Sequence, residues 1–171
     1  MTIREIVTLP NKILRQKARK VTSFDAELQT LIDDMVDTMR AAPGVGLAAP
    51  QVDVPLRVIV VEFSEDPEDE ETPPKLYTLV NPEIARASAE EELGTEGCLS
   101  IPGIVGDVER PLTVTVKGLN RRGQSVKIKA SGWLARIFQH EVDHLNGVLF
   151  VDQAERVWQV EGETTQISPA D

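Results

Sequence analysis

Both histidines of this 171-residue chain fall in one pentapeptide, His140-Glu141-Val142-Asp143-His144. On a helix, residues i and i+4 lie one turn apart on the same face. Their imidazoles can then grip one metal ion, and the glutamate beside the first can reach a water on that ion. The constraint predicts a helix through the pentapeptide, and the flanks agree. The spacing predicts a helix over 132–145, with Ser131 placed to cap it and Asn146-Gly147 placed to end it. Trp133, Ile137, His140 and His144 fall at i, i+4, i+7 and i+11, one continuous stripe. An apolar stripe that turns into two histidines fits a metal site at the floor of a pocket. Taken alone, the pentapeptide also fits two buried or solvated histidines, and Trp133 and Ile137 also fit plain core.

Two ligands do not make a tight site, so a third must come from elsewhere. The chain has a single cysteine, Cys98, which rules out an internal disulfide. It stands in Glu96-Gly97-Cys98-Leu99-Ser100, followed by Ile101-Pro102-Gly103, and the segment reads as a loop. A lone cysteine is ordinarily a small buried hydrophobe. The glycine and serine around this one favour a ligand instead. The alternative is a downstream acid such as Asp152 or Glu155, the arrangement of a metallopeptidase that cleaves internal peptide bonds.

The rest of the chain supplies a frame. Leu28, Leu31, Ile32, Met35, Val36 and Met39 follow helical spacing and predict an amphipathic helix over 25–41, capped by Ser23 or Asp25 and ended by Pro43-Gly44. The glycine- and alanine-rich 44–51 reads as a loop whose backbone approaches something closely. Buried or alternating apolar runs predict strands at 56–61, 76–80, 112–117 and 124–129, with Asn81-Pro82 closing the second and Asn120-Arg121-Arg122-Gly123 turning the last hairpin. The acidic, proline-bearing 62–74 reads as a solvated loop, and 152–171 as a polar, acidic, frayed tail. Strands first and a helix last, with no βαβ rhythm, predict one α+β domain over 1–171 with largely antiparallel sheets.

Composition removes several classes of function. A formal net charge of -10 disfavours DNA and anionic membranes as direct partners. No apolar run reaches the roughly 18 residues of a membrane span. The opening MTIREIVTLP has neither the apolar core of a signal peptide nor the acid-free lead of a transit sequence. The expectation is a cytoplasmic protein.

Three stretches together resemble the peptide deformylase family: Gly44-Val45-Gly46-Leu47-Ala48-Ala49-Pro50-Gln51, Glu96-Gly97-Cys98-Leu99-Ser100, and Gln139-His140-Glu141-Val142-Asp143-His144 continued by Leu145-Asn146-Gly147. Their order matches, and they use the only cysteine and both histidines. The resemblance implies removal of the formyl group from the formyl-methionine that starts new polypeptides, with release of formate. It implies Cys98, His140 and His144 as ligands of one divalent ion, Fe²⁺ in the cell with Zn²⁺, Ni²⁺ or Co²⁺ as substitutes, leaving a fourth position open. It further implies Glu141 as the proton-transfer group and the Leu99 N–H and Gln51 amide as oxyanion donors. By loop position and helix face, Val45, Gly46, Trp133 and Ile137 are the candidates to bind substrate. Glu96 and Arg110 are expected to pair and hold the cysteine segment. Substrates are formyl-methionyl nascent peptides, with transient ribosome contact. Many bacterial members end in a basic extension linked to ribosome docking. This tail instead sets Glu155, Glu161, Glu163 and Asp171 against Arg156. A non-catalytic metal- or peptide-binding module is the rival from another class, and the presence of both Glu141 and Gln51 argues against it.

Overall fold

The structure is a computed structural model, and it describes residues 2–64, 68, 69 and 71–160. Asp25 caps helix α1 (Ala26–Ala41), its carboxylate accepting from the Leu28 N–H at 3.0 Å. Ser23 is not the cap; its hydroxyl instead donates to Asp25. Strands β1 (Gly46–Ala48), β2 (Val58–Phe63) and β3 (Lys75–Ala87) follow, then β4 (Glu91–Cys98), β5 (Ile101–Pro111), β6 (Thr113–Leu119) and β7 (Ser125–Ser131). Helix α2 (Gly132–Leu145) carries the histidine pentapeptide, and a short α3 (Phe150–Gln153) leads into β8 (Arg156–Gln159).

The strands form two sheets, β1-β2-β3-β6-β7 and β4-β5-β8, and every ladder is antiparallel. Both faces of the five-stranded sheet are covered, because alternate residues of β2 point opposite ways. Val58 and Val60 pack with Leu28, Ile32, Met35 and Met39 of α1. Ile59 and Val61 pack with Leu134, Ile137 and Phe138 of α2. A third cluster, Cys98, Ile101, Val108, Leu149 and Phe150, joins the smaller sheet to α3.

Several sequence expectations need correction. The 44–51 segment contains a short edge strand, β1, and a 3-10 turn (Ala49–Val52); small side chains let it pair with β2 and still be buried. Asn81-Pro82 does not close a strand. β3 runs on to Ala87 through a register shift, with Asn81 at φ 52° and its side chain bonded to both backbone groups of Val21. Cys98 lies at the end of a strand rather than in a loop, because the glycine-rich 91–111 forms the long β4–β5 hairpin. Of the acidic 62–74, Glu62 belongs to β2, where it pairs with Arg40; 65–67 and 70 lie outside the described residues. The tail is structured as far as 160, where β8 pairs with β5; 161–171 lie outside the described residues.

Helix α2 also differs from a one-stripe helix. Leu134, Ala135, Arg136, Ile137, Phe138, Gln139, His140, Glu141, Val142, His144 and Leu145 are all buried, so apolar and polar faces alike lie inside the protein. Such a helix must satisfy its polar side chains internally, and that requirement builds the site. Among the described residues, no helix is long and apolar enough to cross a membrane.

Candidate metal centre

The β4–β5 hairpin and α2 bring the separated motifs together. The Cys98 sulfur and a ring nitrogen from each of His140 and His144 lie within 4.8 Å of one another, all buried. Cys98 Sγ stands 3.3 Å from His144 Nε2. His140 turns its Nδ1 away to Glu96 Oε1 at 2.9 Å, which leaves Nε2 facing inward. Among the described residues, the buried side-chain nitrogens and oxygens without a hydrogen-bond partner are His140 Nε2, Glu141 Oε1 and His144 Nδ1. Buried polar atoms are rarely left unpaired. All three belong to the pentapeptide; His140 Nε2 and Glu141 Oε1 are the pair that a cation between the donors accounts for, since His144 already faces Cys98 through its other nitrogen. One soft thiolate and two imidazoles suit a divalent transition ion.

Gln51 closes a second side. Its carbonyl oxygen accepts from the Ala48 N–H at 3.0 Å, and its amide nitrogen donates to Ser100 Oγ at 3.1 Å and to the Cys98 sulfur at 3.6 Å. These contacts fix the amide so that its N–H₂ points into the centre. Leu99 occupies the turn between β4 and β5, immediately after the sulfur. Gly46 abuts Glu141: a Cβ there would stand 2.9 Å from Glu141 Cδ and closer still to Oε2. Val45 is partly buried beside the α2 cluster, and its carbonyl accepts from the Glu62 N–H. Ile137 is fully buried in that cluster, whereas Trp133 is partly exposed beneath the Arg136 guanidinium, 5.5 Å from its ring centre.

The expected Glu96–Arg110 pair is present as a bidentate bridge of 2.5 and 2.9 Å, with Arg110 also reaching Asp143 at 2.8 Å. Burial alone would raise the Glu96 pKa. The hydrogen bonds from His140 and Arg110, with their charges, overrule it and hold the carboxyl well below the usual range. Burial lowers the His140 pKa, but the neighbouring Cys98 sulfur and Glu96 carboxylate raise it to about 10. His144 goes the other way, held well below its ordinary value by burial and by the adjacent His140 charge. Glu141 is raised to about 7, chiefly by burial. Arg136 and Ser100 were not singled out from the sequence. The signal for Arg136 was a charge inside the otherwise apolar run Trp133-Leu134-Ala135-Arg136-Ile137-Phe138, four residues before His140.

The polypeptide deformylase family model matches residues 3–159. The chain belongs to the polypeptide deformylase family. A peptide deformylase of Symbiobacterium thermophilum is 56 % identical over 153 residues, covering 90 % of this chain and 67 % of that protein. One from Natranaerobius thermophilus is 48 % identical, covering 94 % and 98 %. Among solved structures, the peptide deformylase of Thermotoga maritima superposes with a TM-score of 0.82 at 39 % identity, covering 91 % of this chain and all of that one. Deformylases remove the N-formyl group from nascent polypeptides, and the Cys98, His140, His144 cluster is consistent with their dependence on a metal.

Proposed function

We propose that Cys98, His140 and His144 hold the divalent ion and that Glu141 and Gln51, with the Leu99 N–H, carry out deformylation around it. The observation that carries this reading is the convergence of three buried donors within 4.8 Å, with His140 Nε2 and Glu141 Oε1 lacking any partner. A divalent ion in this position supplies Lewis-acid chemistry and activates water. The chain's own residues supply the rest. Glu141, buried beside the cluster, accepts a proton from the attacking water and returns it to the leaving amine. The Gln51 amide and the Leu99 N–H face the oxygen on which negative charge develops; one such donor is typically worth about 2.7–4 kcal/mol of barrier. Formate leaves, and the peptide keeps a free amino terminus.

The peptide is read as an added strand along β1, which among the described residues is an edge strand paired with β2 alone. Small residues there allow a second backbone to approach. Val45 and Gly46 from the strand side, with Trp133 and Ile137 from α2, are proposed to receive the methionine side chain. An Acinetobacter baumannii deformylase solved with Met-Ala-Ser bound, 41 % identical with a TM-score of 0.81, supports a peptide ligand of this kind. In the cell we assign Fe²⁺, since ligand softness admits it and availability decides among similar ions. Residues 1–171 are read as one cytoplasmic catalytic domain. Ribosome contact is transient and is made without the acidic tail, which ribosomal RNA would repel.

The test is formate release from a formyl-Met tripeptide by anaerobically prepared protein and by Glu141→Ala. Formate from the parent, and almost none from a variant that retains its metal, supports the assignment. A folded, metal-loaded parent that releases no formate overturns it.

A further inference from the structure

Arg136 lies in the second turn of α2, and its side chain is 6 % exposed. Nη1 donates to Glu96 Oε2 at 2.6 Å and to the Val108 carbonyl at 2.8 Å, and Nη2 donates to the Glu92 carbonyl at 2.6 Å. Strand β4 makes room for the guanidinium at Gly94, where a Cβ would stand 2.7 Å from its Cζ. One side chain therefore ties α2 to both strands of the β4–β5 hairpin.

Glu96 is the point where this tie meets the metal centre. Its Oε1 takes His140 Nδ1 and Arg110 Nη2, and its Oε2 takes Arg110 Nε and Arg136 Nη1. Arg110 cannot be counted wholly toward Glu96, because its Nη1 is given to Asp143. Leaving His140 aside, Glu96, Arg110 and Asp143 together carry one negative charge, and Arg136 brings these four side chains to neutrality. A fully buried carboxylate needs that compensation. The planar fork of arginine also suits three acceptors lying in different directions, as a lysine ammonium does not.

We propose that Arg136 is a positioning residue for His140: by anchoring Glu96 it fixes the ring so that Nε2 points at the ion shared with Cys98 and His144. Groups that orient a metal-bound histidine commonly change metal affinity by about 10–100-fold when removed. The inference rests on the ligand set proposed above.

The experiment measures Zn²⁺ dissociation constants by competition with a chromophoric chelator, and the visible spectrum of the Co²⁺-loaded protein. The variants are Arg136→Met, Arg136→Lys, Gly94→Ala and, as a control, Cys98→Ser. Arg136→Met is expected to keep its helical circular dichroism, bind Zn²⁺ about 10–100-fold more weakly and shift the Co²⁺ bands. Arg136→Lys recovers part of the loss. Gly94→Ala keeps every charge but displaces the guanidinium, and weakens binding in the same direction. It carries the test alone if Arg136→Met does not fold. Zn²⁺ affinity within twofold of the parent and unchanged Co²⁺ bands in the folded variants, while Cys98→Ser loses affinity, overturn the role of Arg136 only. A parent that does not bind Zn²⁺, or a Cys98→Ser variant that binds like the parent, overturns the ligand assignment and this inference with it.

Discussion

Replacing Gly46 by alanine tests how tightly the proton-transfer group is held. The φ of Gly46 is not positive, so its backbone tolerates an alanine; the obstacle is Glu141. A Cβ would stand 2.9 Å from Glu141 Cδ, where ordinary carbon–carbon contact begins at about 3.5 Å. Strand or carboxylate must therefore give by roughly 0.6 Å or more. Edge strand β1 is pinned between β2, the Gln51 amide and α2, so the carboxylate moves. A catalytic group misplaced by about 1 Å can lose about 100-fold in rate, equivalent to about 2.7 kcal/mol of barrier. Overpacking should also lower stability by about 1–3 kcal/mol. Formate release under saturating formyl-Met peptide gives kcat, chelator competition gives the metal affinity, and urea unfolding gives the stability. The expected pattern is a fall of about 100-fold in kcat with metal binding preserved. A kcat within about threefold of the parent, in a folded and metal-loaded variant, would refute the claim that Gly46 is small because Glu141 needs the space.

Other perturbations separate the remaining roles. Glu141→Gln should lower kcat by about 10²–10⁴-fold with the ion retained, and remove the acid limb of the pH–rate profile. That limb lies below the metal-free value of about 7, since a bound cation favours the carboxylate. Burial raises the folded-state pKa of Glu141, so its stabilising contribution in the metal-free protein is complete below about 4.5 and is lost as pH rises through about 7. Relative to the parent, metal-free Glu141→Gln should therefore gain stability over that window, as read by urea titration at stepped pH; a constant difference would contradict the assigned burial. Arg110→Ala leaves Glu96 and Asp143 short of a cation and should cost about 3–5 kcal/mol by chemical denaturation. Cys98→Ala should abolish tight metal binding, whereas a metallopeptidase ligand set based on a downstream acid would leave it intact.

Much of the site was legible because chemistry restricts residue type more sharply than packing does. With one cysteine and two histidines there was a single way to assemble a soft tridentate set, and helical spacing put two of its members on one face. Helix α1 was legible because its apolar period and its Asp25 cap are local; α2 was legible from the spacing of its two histidines, although Ser131 makes no side-chain cap and the helix is buried on nearly every face. The β4–β5 hairpin was not legible. Its strands carry glycines, glutamates and two prolines in place of an alternating apolar pattern, and they are strands because each supplies the other's backbone hydrogen bonds and α2 and α3 cover them. β8 was hidden likewise: its residues are mostly exposed, and its order comes from pairing with β5.

Taken by itself, the sequence determined the candidate donors, the candidate base and the helix that carries His140, Glu141 and His144, since these depend on residue identity and on helical spacing. Only the tertiary structure decided that Cys98 meets the histidines from a strand end, that Gly46 abuts Glu141, and that Arg136 joins Arg110 on Glu96. The Arg136–Glu96, Cys98–His144 and Gly46–Glu141 contacts join residues 40, 46 and 95 apart in the chain. Nothing in a local pattern specifies which distant side chain will share a buried charge; that is set by which elements must pack together to bury their apolar faces, and the polar groups then find partners within the space this leaves.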